Sequence, residues 1–236
     1  MAYQAVFKRY EIKYLLTAAQ KEEILKVMAP YMAIDQYGRT TIRNVYFDTD
    51  NYRLIRRSIE KPVYKEKLRI RSYRKAATGD KVFVELKKKF NGVVYKRRLS
   101  MPEQQAMAWL RGELPPPETQ IGREVEYFRT YYKTLLPTVF LSYQREAYYS
   151  LDGSDFRVTF DDHIYARRDR LSLSQESDGQ PILPEGMVLM EVKTSGAIPL
   201  WLTKHLTKSR IFKTSFSKYG TAYQTMILCK GAYIHA

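Results

Sequence analysis

Polar and apolar residues alternate with a period of two through much of this chain, most sharply between residues 63 and 101. Lys67, Arg69 and Arg71 fall on one side of an extended segment and Leu68 and Ile70 on the other, because successive side chains of a strand point to opposite faces. Glu85 and Lys87 repeat the arrangement with Val84 and Leu86 behind them, and Lys96 and Arg98 follow. Asn91-Gly92 separates two of these runs and is a strong hairpin signal. The runs 63–75, 81–90 and 93–101 are therefore predicted to form an antiparallel meander. The same period predicts strands over 6–14, 39–47, 139–150, 156–160 and 187–194.

Between the strands the period changes to that of helices. Thr17 reads as the N-cap of a helix whose buried side is Ile24, Leu25, Val27 and Met28, ending before Pro30. A short helix is predicted through Tyr52, Leu54 and Ile55. Residues 102–136 are helical, with a break at Gly112–Pro117, and two helices close the chain over 200–208 and 217–230. Residues 171–186, punctuated by Gly179, Pro181 and Pro184, read as an exposed loop. The elements predict one α+β domain over residues 1–236, an antiparallel eight-stranded closed or nearly closed barrel with inserted and appended helices.

Composition narrows the setting. A chain of 236 residues, 44% hydrophobic, can bury a sizeable core. No apolar run approaches the ~18 residues of a membrane span, and residues 1–9 lack the apolar segment of a signal peptide. Cys229 is the single cysteine, so no intrachain disulfide forms. It sits in a helical apolar pattern and is expected to be buried. These features predict a cytoplasmic protein. Forty Lys and Arg against 25 Asp and Glu give a net charge of +15, which favours anionic partners: nucleic acid, a membrane surface or small phosphorylated molecules.

The charges are placed, as well as numerous. Glu-x-Lys recurs as Glu11/Lys13, Glu85/Lys87 and Glu191/Lys193, and Arg69, Arg71, Lys96, Arg98, Arg145 and Arg157 add cations at alternating positions. If these faces point into a barrel, their desolvation requires water or an anionic ligand at the centre. A triphosphate or polyphosphate fits such a field, and the remaining carboxylates suit Mg²⁺ or Mn²⁺. The alternative is a sheet with one solvated face, where such alternation is ordinary. Asp161 and Asp162 read as turn or salt-bridge residues, and His163, His205 and His235 show no metal-ligand spacing. The 20 tyrosines are expected to pack in the core and on the barrel exterior.

The ordered set Arg9-Tyr10-Glu11-Ile12-Lys13-Tyr14, Tyr46-Phe47-Asp48-Thr49, Leu68-Arg69-Ile70-Arg71, Glu85-Leu86-Lys87, Tyr95-Lys96-Arg97-Arg98, Tyr143-Gln144-Arg145, Arg157-Val158-Thr159-Phe160-Asp161, Glu191-Val192-Lys193 and Phe216-Ser217-Lys218-Tyr219 resembles the VTC domain. That domain is the polyphosphate polymerase module of the triphosphate tunnel, or CYTH-like, superfamily. The resemblance implies a tunnel of eight antiparallel strands that binds ATP and polyphosphate. It implies phosphate contacts by Lys13, Arg69, Arg71, Lys87, Arg145, Arg157 and Lys193, joined by Lys96 and Arg98. Glu191 would be the principal metal ligand, with Glu11 and Glu85 as further candidates for Mn²⁺ or Mg²⁺. Ser217 and Lys218 would cap the tunnel. Charge reversal at Glu191, or removal of Arg145 or Arg157, is then expected to abolish synthesis and leave folding intact.

Two departures bear on function. Superfamily triphosphatases usually begin Glu-x-Glu-x-Lys, whereas this chain has Arg9-x-Glu11-x-Lys13, which favours holding phosphate over activating water. Eukaryotic polymerase subunits also carry an SPX domain and transmembrane helices, and neither occurs in this sequence. The competing readings are a triphosphatase of the same fold, a non-catalytic polyphosphate binder and a nucleic-acid binder. The last has no RNP-like, helix-turn-helix or zinc signature in its support, so no nucleic-acid partner is expected.

Overall fold

The structure is a computed structural model and describes residues 10–229. Residues 1–9, including Arg9 and the start of the strand expected over 6–14, and residues 230–236, including Lys230 of the expected last helix and His235, lie outside the described residues. In chain order the elements are β1 (Tyr10–Thr17), α1 (Ala18–Met28), β2 (Met32–Ile34), β3 (Thr40–Asp48), α2 (Arg53–Ile59), β4 (Tyr64–Ser72), β5 (Lys81–Phe90), β6 (Val93–Pro102), α3 (Glu103–Arg111) and α4 (Gln120–Tyr132). Then come β7 (Leu136–Ser150), β8 (Arg157–Arg167), β9 (Gln180–Pro181), β10 (Met187–Thr194), α5 (Leu200–Lys208), β11 (Lys213–Thr214) and α6 (Lys218–Tyr223). The last helix runs on as a π-helical turn over Gln224–Leu228.

Local chemistry sets the boundaries. Thr17 closes a capping box on α1: its hydroxyl accepts from the Gln20 amide, and the Gln20 side chain accepts from the Thr17 amide. Asn91 and Gly92 both sit at positive φ, +47° and +85°, as a two-residue hairpin turn requires, and Phe90 pairs directly with Val93.

All strands join one antiparallel sheet in the order β11-β1-β10-β8-β7-β3-β4-β5-β6, with β2 on β7 and β9 on β8. The expectation of a closed eight-stranded barrel is corrected in two ways. The eight long strands are those the alternation predicts, but three strands of two or three residues bring the described sheet to eleven. Among the described residues the sheet is also not closed by backbone pairing: β11 occupies the outer edge of β1, opposite Lys13 and Tyr14, and β6 forms the other end. Side chains bridge the gap instead. Lys87 on β5 meets Glu11 on β1 at 2.7 Å, while the N-terminus of α6 accepts from Lys67 and Lys13.

The apolar rows face outward and are covered by helices. Leu68, Ile70, Val84 and Leu86, all fully buried, pack with Trp109 and Leu110 of α3 and Val125 and Phe128 of α4. Helices α1 and α5 cover β1, β8 and β10 through Ile24, Met28, Leu202 and Leu206. A third cluster joins α2 and α6 to the wall through Ile55, Tyr219 and Tyr223. Three local expectations are corrected. Segment 171–186 anchors itself with buried Leu173, Ile182 and Leu183 and is not a wholly exposed loop. The strand expected to end at 160 continues to Arg167. Cys229 is exposed, because it lies past the last turn that packs on the wall, where Leu228 is already half exposed.

Candidate functional site

With the apolar rows outside, the charged rows turn inward onto a cavity of about 1570 Å³. Every residue expected from the sequence to contact phosphate or metal borders it except Glu85, which lies beneath its wall. Among the described residues thirteen lysines and arginines line the cavity against four carboxylates, Glu11, Asp35, Asp80 and Glu191. The solvated-face alternative therefore does not describe these rows.

Glu85, 1% exposed, is the hub of one wall. Its Oε2 accepts from Arg69 Nε at 2.9 Å, and its Oε1 accepts from Arg98 Nε at 2.9 Å and Lys96 Nζ at 2.7 Å. Burial opposes its ionisation, but Arg71, Arg69, Lys96 and Arg98 outweigh that and hold the carboxyl well below its usual range. Both oxygens are spent on cations. On the facing wall buried Asp161 takes Arg145 in a two-pronged contact at 2.6 and 2.7 Å and Lys218 at 2.5 Å. Against its burial, Arg145 and Lys218 lower its pKa to about 2. Asp162 pairs with Arg39, so the salt-bridge reading describes both aspartates.

The third group lies on adjacent strands, where Lys13 stands opposite Glu191 and Glu11 opposite Lys193. Glu191 contacts Lys193 at 2.7 Å and Lys13 at 3.7 Å, and Glu11 contacts Lys87. Both carboxyls are held below their ordinary values: burial raises them, and the lysines prevail. The two acids also repel one another, which places them in one electrostatic neighbourhood. Among the described residues no cluster of three His, Cys, Asp or Glu side chains could enclose a metal ion. Arg157, at the start of β8, is exposed and makes no ion pair with a described residue.

Sequence reasoning missed several parts of this wall. Lys67 belongs to the same alternating row as Arg69 and Arg71 and could have been read from it. Among the described residues its ammonium donates only to Ser217 Oγ, at 3.0 Å, and burial together with Lys13 and Lys87 pushes it down to about 7. Ser217 is at once the N-cap of α6, accepting from the Gly220 amide. Six tyrosines of the described residues, Tyr37, Tyr46, Tyr73, Tyr143, Tyr148 and Tyr219, line the cavity and are not exterior packing. Tyr46 accepts from Arg69 and stacks on Tyr219 with ring centroids 4.6 Å apart. Tyr143 lies under Arg145 and Lys218; burial raises its phenol, but Arg145, Arg71 and Lys218 bring it down to about 8.

Lys67 yields a prediction with opposite effects on stability and binding. Its folded pKa lies below the ~10.4 of an unfolded lysine, so the unfolded chain binds more protons between about pH 7 and 10 and its contribution to stability grows as pH rises. Lys67→Met is expected to raise the melting temperature of the free protein at pH 7 by a few degrees, flatten its rise toward pH 10 and weaken tripolyphosphate binding about tenfold. Melting curves across pH and calorimetry check both.

A search of curated proteins finds no match. Solved structures of the same fold include a candidate adenylate cyclase from Bacillus halodurans (15% identity, 94% of this chain and 100% of that one, TM-score 0.54). Others are a candidate adenylate cyclase from Vibrio parahaemolyticus (10%, 92% and 98%, TM-score 0.52) and a candidate adenylyl cyclase from Hippeastrum described as having a dominant triphosphatase activity (16%, 92% and 94%, TM-score 0.51). The antiparallel sheet wrapped on a basic cavity thus has the fold that these three structures share. Among proteins of that fold, the chain belongs to the VTC domain family, whose model matches residues 8–227.

Proposed function

We propose that the protein is a polyphosphate polymerase that transfers the γ-phosphoryl group of ATP to the end of a phosphate chain held in the cavity. The observation that carries this reading is the state of the carboxylates. Glu11, Glu85, Asp161 and Glu191 are all ion-paired and all held below their ordinary pKa values. A general base that activates water works best with a pKa near the working pH, and these acids are far too weak as bases. A phosphate-chain terminus needs no such base, because its oxygen is already largely ionised.

In the transfer, that terminal oxygen forms a bond to the γ-phosphorus as the bond from the γ-phosphorus to the bridging β-oxygen breaks, and ADP leaves with the electron pair. Lys13, Arg69, Arg71, Lys87, Arg145, Arg157 and Lys193 would align donor and acceptor and neutralise charge spread over the oxygens. Lys96 and Arg98 would extend this field, while Ser217 and Lys218 hold the end of the cavity at α6. Tunnel-fold enzymes usually use a divalent metal, and Mg²⁺ or Mn²⁺ bound with substrate phosphates needs only one or two carboxylates. Glu191 and Glu11 border the cavity on adjacent strands and would hold the metal by exchanging their lysine contacts for it, and the metal would supply further charge neutralisation. Glu85, which lies beneath the cavity wall and holds Arg69, Lys96 and Arg98, is better suited to holding the wall.

One observation favours a triphosphatase as the second reading. Tyr143, with a pKa of about 8, is a cavity group able to exchange a proton near neutral pH, and the Hippeastrum neighbour is described by that activity. Incubation with ATP and Mn²⁺ or Mg²⁺ separates the two. Long polymer with ADP supports the polymerase; free phosphate without polymer supports hydrolysis. Neither product, with tight polyphosphate binding, identifies a binding module.

A further inference from the structure

The outer face of β3, β4, β7 and β8 carries a second polar cluster, away from the phosphate-facing rows. Arg43 is 8% exposed and has no hydrogen bond or ion pair to any described residue; its Nε is fully enclosed. Strand register sets Ser72 directly opposite it on β4 and Ser142 opposite it on β7, and both hydroxyls are buried without partners. Arg167, 3% exposed, stands opposite Phe140, two residues from Ser142 on the same face, with its guanidinium 3.6 Å from the Phe140 ring centroid. It pins the segment after β8 by donating to the carbonyls of Arg170, Glu176 and Asp178, yet its Nε is also unpartnered. Ser177, between the last two of those anchors, adds a fifth orphaned polar atom.

Five of the six buried, unpartnered side-chain atoms among the described residues thus belong to one row and the segment over it. Buried polar groups in native proteins find partners, and each exception calls for a water or an ion. Here two guanidiniums and three hydroxyls lie along one row and the segment over it, with no carboxylate buried among them. Asp178 serves Arg167 and Arg170; Glu176, exposed and bonded through Oε1 to Lys75, is a favourable charge for Arg43 but makes no ion pair with it. Water would satisfy the hydrogen bonds and leave Arg43 with only the solvent-screened charge of Glu176 against it. An oxyanion satisfies both, with its acceptor oxygens matched to guanidinium forks.

We propose that Arg43, Arg167, Ser72, Ser142 and Ser177 bind a small inorganic oxyanion of the orthophosphate class beneath the 168–178 segment. The site lies on the back of the cavity wall: Asn44, next to Arg43, faces inward and accepts from Arg71 at 3.0 Å. Ser72, at the end of β4, also borders the cavity.

Orthophosphate would also enter the main cavity, so the test fills that cavity first. Full-length protein saturated with tripolyphosphate, without divalent metal, is titrated with orthophosphate by calorimetry. One equivalent is expected to bind. Arg43→Met is expected to weaken it at least tenfold, and Ser142→Ala severalfold, with tripolyphosphate affinity kept in both as the sign of intact folding. A crystal structure with arsenate in place of orthophosphate should show an arsenic anomalous peak beside Arg43. No orthophosphate binding to the filled protein, equal binding by Arg43→Met, or a structure with only water or the Glu176 carboxylate against Arg43 would each overturn the proposal. If tripolyphosphate does not bind at all, the titration is run on the free protein: the cavity reading then fails, and the Arg43 site stands or falls on the same variant and the arsenic peak.

Discussion

Glu85→Gln should melt about 10 °C below the wild-type protein at pH 7. Glu85 is almost wholly buried and satisfies Arg69, Arg98 and Lys96. The amide removes the charge and leaves these cations facing one another in a poorly solvated wall. Breaking a buried ionic cluster from one side costs about 3–5 kcal/mol, and each kcal/mol is worth about 2–4 °C in a chain of this size. The pH dependence has a definite sign. The folded pKa of Glu85 is depressed, so its contribution is complete above the unfolded value of ~4.3 and is lost as pH falls through the folded value. The wild-type and variant melting curves should therefore converge only in acid. Tripolyphosphate should rescue the variant by more degrees than it raises the wild type, because it supplies the missing counter-charge. A uniform loss at every pH, unaffected by tripolyphosphate, would show that packing and not charge is at stake.

Arg157→Met should lose about two orders of magnitude in polymer synthesis, the scale for removing one preorganised electrostatic donor, while melting within about 2 °C of the wild type. This separation follows from position: Arg157 is exposed, borders the cavity and has no ionic partner among the described residues. The expectation that Arg145 could be removed with folding intact is corrected by the same reasoning. Arg145 is bound at both prongs to Asp161, which is 0% exposed, so its loss strands a buried carboxylate on Lys218 alone. Glu191→Lys likewise would set three ammonium groups together, with Lys13 and Lys193. Rates and melting temperatures measured on the same preparations check the contrast: Arg157→Met inactive but stable, Arg145→Ala inactive and destabilised.

The eight long strands were legible because their two faces differ so strongly in chemistry. Leu68 and Ile70 against Lys67, Arg69 and Arg71 leaves one register that buries the apolar side. Elements of two or three residues, such as β9 and β11, carry no period to read. The second half of β8 was hidden by Asp161-Asp162-His163, where His163 takes a positive φ and the facing strand shifts register between Ser142 and Gln144. Parts of the site were available by counting. The Asn91-Gly92 turn, with Phe90 opposite Val93, places Glu85 opposite Arg98. The other half of the Glu85 hub, Arg69, pairs across the longer connection after Ser72, whose geometry no local signal sets. Closure was not legible at all, since it depends on Lys87 meeting Glu11 and on α6 returning to Lys67, contacts between residues far apart in the chain.

The most direct test of the account is a crystal structure of the protein with tripolyphosphate. The account predicts one phosphate chain inside the cavity, its oxygens contacted by strand-borne cations from opposite walls, Arg69 and Lys87 on one side and Arg145 and Lys193 on the other. Tripolyphosphate bound only to the outer surface, with these side chains still paired among themselves, would contradict it.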